Sequence, residues 1–379
     1  MSSFRSFALK GAGAALAAII LGCGPKDGVR EFEQGVEAFD KGDLARAEKL
    51  LTRSMGLAPG NVDRLVLLAR VKLALGELMA AGELIGRAAE LRPSDSDVIL
   101  LGAQIAWHAK DYRKAATDFT ALANDGRLEA KVRAEGFAGL GVVEMTCNNV
   151  HLARIAFLRA LRLDRRNASA WYHLGLLYRD GFGYLEAALE HLEIFVRLEP
   201  EANLRVQKVQ RTVIPALKEQ MAQIAASRPG VSRRNSAASA TAIAKAEAAW
   251  KKGAYIAARQ AYQAAFAADP LSYPAALGLA RAQAKTDATK AGQTKAFESY
   301  KAACIIRPSA ISTFLTTGAL AAKLGLSSQA AEIYSRALAA SPTSFDAIDG
   351  LIRALRKVNK TKVAQAYQGY RDSIAVKRK

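Results

Sequence analysis

An all-α solenoid of stacked helical hairpins is the fold this sequence predicts, and three observations predict it. Of the 379 residues 51% are hydrophobic, yet only 7% are aromatic and 10 are Pro, a balance that suits Ala/Leu-rich helices better than sandwiches or barrels. The chain also repeats itself: nine blocks start at about residues 28, 62, 96, 134, 168, 239, 273, 311 and 345, so that most adjacent starts are 34 apart. Finally, small, bulky and Pro positions recur together at that period. Position 20 holds Ala47, Ala81, Ala115, Ala153, Ala187 or Ala188, Ala258, Ala296, Ala330 and Ala364. Position 8 holds Gly35, Ala69, Ala103, Gly141, Gly175, Ala246, Ala280 and Gly318, with Ile352 of the last block breaking the rule. Position 24 is bulky, from Leu51, Ile85, Phe119, Phe157 and Leu192 to Tyr262, Tyr300 and Tyr334, and Pro59, Pro93, Pro200, Pro270, Pro308 and Pro342 close six blocks.

The first element is an address. Residues 1–10 carry Arg5 and Lys10 and no acid, and Gly11–Leu21 is uncharged and apolar, the order of a secretory leader whose positive end stays cytoplasmic. At eleven residues the apolar run is too short for a spanning helix, which needs about 20. Ile20-Leu21-Gly22-Cys23 resembles the bacterial lipobox. That resemblance implies cleavage between Gly22 and Cys23, acylation of Cys23 with palmitate-type chains and, with Gly24 next and a Gram-negative host, an outer-membrane address facing the periplasm. Residues 23–27 then form a tether whose reach is at most ~20 Å. The other cysteines, Cys147 and Cys304, stand far apart without Cys-x-x-Cys or Cys/His spacing, so each is expected to pack as a small apolar residue.

Residues 28–200 hold the first five blocks. Each reads as two amphipathic helices of about 13 residues joined by a tight turn. The small residues let the pair approach, the bulky one fills the space beside them, and Pro stops the second helix. One block cannot bury its apolar face alone, so blocks must stack. Four extra residues fall near Ala130–Arg133, and four more in the polar stretch Thr286–Lys295, read as a longer turn. Residues 201–226 read as a capping helix or degenerate repeat with Val206, Val209, Val213 and Leu217 on one face, kinked or ended at Pro215. The Ser/Arg/Pro/Gly composition of 227–238 reads as a linker. Residues 239–379 hold four more blocks, the last a terminal cap. Two arrays joined by a hinge is the simpler organisation, with one continuous superhelix as the competitor.

The fifth block carries Trp171-x-x-Leu174-Gly175-x-x-Tyr178, and with the small, bulky and Pro positions the chain from 28 to 379 resembles the tetratricopeptide repeat (TPR) family. The resemblance implies a concave groove lined by the first helices at repeat positions 2, 5, 9, 12 and 13. Carried over, these are Leu100, Gln104, Trp107 and His108, then Val142 and Met145, then Tyr172, Leu176 and Arg179, with Trp250 matching Trp107 in the sixth block. Either tryptophan is a rigid groove contact or core against the next repeat. The family's Lys/Asn carboxylate clamp is missing, since position 5 holds Val66, Leu100, Ala138 and Tyr172, which disfavours acidic chaperone tails as ligands.

No phosphate loop, His-Glu-x-x-His pair, nucleophile elbow or Cys-x-x-Cys motif is present, and no cofactor is expected. His173 and His191, on the two helices of block five, form too small a set for a metal; helix-surface histidines are the expectation. Charge is unevenly placed: residues 23–200 carry 24 basic and 25 acidic residues, whereas 201–379 carry 28 basic and 10 acidic, a net of +18 of the chain's +19. Arg353, Arg356, Lys357, Lys360 and Lys362 form part of that excess. The reading is a non-enzymatic, lipid-anchored scaffold in the bacterial envelope that takes a peptide or helix in its groove, resembling the TPR lipoproteins that assist pili, outer-membrane proteins or polysaccharide export. The alternative is a basic second array that binds a membrane surface, an anionic polysaccharide or another anionic polymer; nucleic acid would require a cytoplasmic location.

Overall fold

The computed structural model describes residues 28–201, 203–227 and 234–375. The leader at 1–22, Cys23 and the tether lie outside the described residues, as do 228–233 of the linker. Among the described residues there is no strand, and no helix is long and apolar enough to cross a membrane.

The helices follow the 34-residue period. The first four hairpins are α1 (Val29–Asp40) with α2 (Leu44–Leu57), α3 (Val62–Leu75) with α4 (Leu78–Leu91), α5 (Ser96–His108) with α6 (Tyr112–Asn124), and α7 (Ala130–Thr146) with α8 (Val150–Leu163). Block five supplies α9 (Ala168–Leu176) and α10 (Leu185–Leu198), followed by α11 (Leu204–Lys208) and α12 (Ile214–Ala226). The last four hairpins are α13 (Ser236–Lys251) with α14 (Tyr255–Ala268), α15 (Tyr273–Thr286) with α16 (Lys290–Ile306), α17 (Ile311–Lys323) with α18 (Ser327–Ala340), and α19 (Phe345–Lys357) with α20 (Thr361–Ala375). Each of the six block-closing prolines stands two residues past the last helical residue, as Pro59 does after Leu57. There it has no amide hydrogen to lose from the ladder.

Two compact units result, one comprising residues up to 177 with 197–205, the other 178–196 with 206–375. The division runs through block five instead of along the 227–238 segment. Within each unit a first helix packs on its own second helix, the second on the next first helix, and first helices on one another, as α1, α2 and α3 do and again α17, α18 and α19. This ladder of neighbours is what a solenoid requires.

The recurring residues do what the period implies. Ala47, Ala81, Ala115, Ala153, Ala188, Ala258, Ala296, Ala330 and Ala364 are all at 0% exposure. The bulky position 24 meets the small position 8 of its own block: a Cβ on Gly141 would sit 2.5 Å from the Phe157 ring and one on Gly318 2.8 Å from Tyr334. It also meets position 6 of the next block, where a Cβ on Gly139 would lie 2.3 Å from Phe119 and one on Gly350 2.4 Å from Tyr334. Each large side chain is therefore clamped between two first helices, which sets their separation.

Departures from the period have local causes. A π turn, Leu177–Phe182, inserts one residue into block five, so Ala188 and not Ala187 occupies the small position. The two four-residue insertions each add about one helical turn, since α7 and α16 both reach 17 residues; the second therefore lengthens α16 and is not the longer turn expected at Thr286–Lys295. A second π turn at Val209–Val213 precedes Pro215, which opens α12, while Val206, Val209 and Leu217 are buried as expected. Ile352 of the terminal block is buried, and Tyr367 and Tyr370 supply its bulk. Cys304 is buried as expected, but Cys147 ends α7 at the turn and is exposed.

Candidate functional site

The first-helix row of the first unit divides into core and surface. Leu100, Gln104 and Val142 are only 6%, 4% and 1% exposed, a correction to their assignment as groove contacts. The reason is that α5 packs on α7 and α7 on α9, which consumes the flank facing the next repeat; Leu100 joins a core with Ala103, Phe119 and Val143. Trp107, His108, Met145, Tyr172 and Leu176 remain half-buried. Trp107 leans on the same core while its Nε1 donates to Thr146 Oγ1 at 3.3 Å, so it ties α5 to the end of α7 with part of its indole outside. His108 stands edge-on to that indole at 4.9 Å, and burial lowers its pKa. Tyr172 is overlaid by the Arg205 guanidinium at 4.8 Å, a cation–π contact that the repeat pattern does not announce. Val66 and Ala138, the other position-5 residues, are buried.

In the second unit Arg179 is half-buried and paired with Asp180 at 2.6 Å. Trp250 is half-buried, edge-on to Tyr255 at 4.9 Å, and packs on the Ala246–Tyr262 core. Both tryptophans thus combine the two roles left open by the sequence: anchored in the core on one side, partly exposed on the other.

The histidines of block five are buried, against the surface placement expected. His173 occupies repeat position 6, where three other blocks place Gly139, Gly278 and Gly350, and stacks on Phe157 with 10° between planes; its Nδ1 has no hydrogen-bond partner. Burial, with Arg205 nearby, lowers its pKa to about 3. His191, edge-on to Tyr178, has Nδ1 2.7 Å from the Ala187 carbonyl, and burial lowers its pKa to about 4 despite that contact. Neutral rings of this kind are packing elements. No group of three or more His, Cys, Asp or Glu that could hold a metal ion occurs among the described residues.

The second unit also contains a cleft of about 280 Å³, lined in part by Tyr184, Glu190, Cys304, Phe314 and Arg336. The Arg336 guanidinium lies 5.0 Å from the Tyr184 ring centre. Burial pushes the Cys304 thiol up to about 11, with Thr317 Oγ1 at 3.4 Å, so it stays protonated and unreactive near neutral pH. This cleft joins residues more than a hundred positions apart, and periodicity carries no signal for it.

The turns inside the repeats have a common build. The first helix closes through a residue with positive φ, seen at Gly42, Gly76, Lys110, Asn148, Gly253, Gly325 and Asn359, and the next residue donates back to a carbonyl five positions earlier, as Asp43 does to Ala38 and Leu326 to Ala321. This is the Schellman closure, and its final residue caps the second helix. In the first unit that cap is Asp43, Glu77, Asp111 or Asn149, with Asp43 and Asp111 accepting from Arg46 N and Lys114 N. In the second unit the same place is taken by Ala254, Leu326 and Lys360, while the turn before α16, which has no positive-φ residue, uses Thr289. The turns of the last four hairpins carry Lys251 and Lys252, Lys285 and Lys290, Lys323, and then Arg356, Lys357, Lys360 and Lys362, all exposed, against the single carboxylate of Asp287. Four of the five residues predicted as a basic patch fall on the last of these turns; Arg353, also exposed, lies one helical turn back on α19.

A tetratricopeptide repeat family profile matches residues 38–105. None of the curated proteins matches the chain. Among solved structures, a thermophilic TPR protein of Thermus thermophilus is 18% identical over 51% of this chain and 99% of its own, with a TM-score of 0.44. PilF of Pseudomonas aeruginosa is 18% identical over 53% and 93%, TM-score 0.41, and the APC/C hetero-tetramer Cut9–Hcn1 is 16% identical over 94% and 80%, TM-score 0.36. At these identities and TM-scores the structural likenesses carry no inference about function. The chain carries a tetratricopeptide repeat at 38–105, and its described residues fold as an all-α solenoid of that kind.

Proposed function

We propose that this protein is a non-enzymatic, lipid-anchored scaffold of the bacterial cell envelope, in which the first unit takes a segment of a protein partner and an acylated Cys23 holds the array at the outer membrane. TPR proteins mediate protein–protein interaction, which supports the scaffold role. The observation that carries the reading is the row on α5, α7 and α9: Trp107, Met145, Tyr172 and Leu176 keep part of their apolar surface exposed on successive first helices, although Leu100, Gln104 and Val142 on the same helices are buried. Half-exposed aromatic and aliphatic side chains on successive first helices suit an extended or helical peptide. The Ile20-Leu21-Gly22-Cys23 run supports the anchor. By resemblance to TPR lipoproteins, the assemblies served are pili, outer-membrane proteins or exported polysaccharide.

Two measurements test this. Cys23→Ser moves the protein from the membrane to the soluble fraction; an unchanged distribution sinks the anchor. In-cell photo-crosslinking from the Met145 position identifies the partner, and Trp107→Ala with Leu176→Ala then reduces its capture at least tenfold while helicity is retained. Capture that persists with both substitutions would remove this row as the binding surface.

A further inference from the structure

We propose that the edge of the second unit formed by its within-repeat turns is a docking surface for an anionic lipid bilayer. In a stack whose helices pack in the order first, second, next first, as α13 to α20 do, every turn inside a repeat emerges on one side of the unit, with neighbours roughly 10 Å apart. The cations of those four turns therefore form a row. None of them makes an ion pair among the described residues. Of them, Lys285 lies over the Tyr255 ring at 5.5 Å. In the turns between repeats, on the opposite side, Arg234 is spent on Asp269 at 2.8 Å and Arg307 lies over the Tyr273 ring at 4.1 Å.

Folding explains only part of this charge. Lys251, Lys285, Lys323, Arg356 and Lys357 stand in the last turns of first helices, where a cation interacts favourably with the helix dipole. Lys290, Lys360 and Lys362 stand at the opposite pole, at the starts of α16 and α20, where the dipole disfavours them. Their placement calls for an external anion. The same edge is also partly apolar: Ile256, in the first turn of α14, is 62% exposed, beside the half-buried Tyr255 and Trp250, and Leu326 occupies a cap position. Lysines interleaved with aromatic and aliphatic side chains on one edge suit the headgroup region of a bilayer, which takes the charge at its surface and the apolar groups just below. A soluble polyanion accounts for the lysines but not for Ile256. This surface is separate from the Trp107 row, so either assignment can fail without the other.

The test is flotation of the full chain carrying Cys23→Ser, so that no acyl group contributes, with phosphatidylcholine vesicles made with or without about 30% phosphatidylglycerol. Binding is read as the increment that phosphatidylglycerol adds. The increment is expected to disappear between about 50 and 500 mM salt. Lys251→Gln/Lys252→Gln/Lys357→Gln/Lys360→Gln should reduce it about tenfold or more, whereas the equal charge change Lys208→Gln/Arg211→Gln/Lys245→Gln/Arg281→Gln should reduce it less than about twofold, with circular dichroism confirming equal helicity. Ile256→Ser should weaken vesicle binding and leave retention on heparin unchanged. Equal losses for the two four-site variants, no phosphatidylglycerol increment, or a vesicle partition indifferent to Ile256→Ser would each overturn the bilayer assignment; retention on heparin without vesicle binding would transfer the edge to a polyanionic polymer.

Discussion

Two turns of the first unit carry a cap that two turns of the second lack. Asp43 and Asp111 of the first unit each cap a second helix with a carboxylate, a contact worth about 1 kcal/mol. Ala254 and Leu326 of the second unit occupy the same backbone geometry, with φ near −80° and ψ near 60° in both, and offer no acceptor. The helices form regardless, because clamped side chains such as Phe157 and Tyr334 hold the stack in both units. Core packing is thus shared, and the turn edge is where the units diverge in chemistry. Stability is forgone there while charge accumulates, a pattern that points to a surface shaped by contact with something else.

The largest expected effect tests what the units share. Each buries one histidine as a neutral ring, His173 in the first and His191 in the second, with pKa values lowered to about 3 and about 4. The unfolded chain takes up these protons near pH 6.5, so between that pH and the folded values it binds more protons than the native state. Stability is therefore fully present above about pH 6.5 and is lost as the pH falls, by about 2 to 3 kcal/mol per histidine at about pH 4.5. Hydrogen exchange resolved by unit should show both units loosening on the acid side. His173→Phe should flatten the acid limb of the first unit alone, and a parallel change in the second would show that the two units unfold together.

Next in size are the clamps. Gly141→Ala drives a methyl into the Phe157 ring and Gly350→Ala does the same to Tyr334. Each should cost about 1 to 3 kcal/mol, reversing the gain in helix propensity of up to ~1 kcal/mol that alanine ordinarily brings. Thermal or urea melts would show equal penalties if the clamp is the common device of both units. A stabilised variant would mean that the ring yields and the clamp is loose.

Much of this was legible in the sequence, because a repeat writes each packing rule nine times. The zero exposure of Ala47 through Ala364 and the helix stops before the prolines are direct consequences of the period. The groove was only half legible. Position numbers carried over from a family say which way a side chain points, not whether the next first helix already covers it, and so Leu100, Gln104 and Val142 were assigned to a surface they do not reach. The π turn in block five was visible only as the ambiguity between Ala187 and Ala188. His173 and His191 read as surface residues because imidazole is usually solvated; what buries His173 is its register opposite Phe157, seen only when position 6 is followed across blocks. Contacts such as Arg205 on Tyr172, or Arg336 on Tyr184, join residues outside the period and left no trace in it.

The smallest effect is the most pointed. Ala254→Asp and Leu326→Asp restore in the second unit the cap that Asp43 supplies in the first, and matching backbone angles mean that no rearrangement is needed. Each should raise stability by about 0.5 to 1.5 kcal/mol, measured as a shift of the denaturation midpoint. The same substitutions place a negative charge within the row of lysines and should weaken anionic-vesicle binding. Ala254→Asn, which caps without charge, should stabilise to a similar degree and leave binding unaltered. Opposite signs for stability and binding in the Asp variants, with only the first in the Asn variant, would identify electrostatics as the reason the caps are absent. If Ala254→Asp stabilised the helix and binding held, the missing carboxylates would have no bearing on the membrane, and the difference between the units would reduce to neutral variation at a turn the fold tolerates in either form.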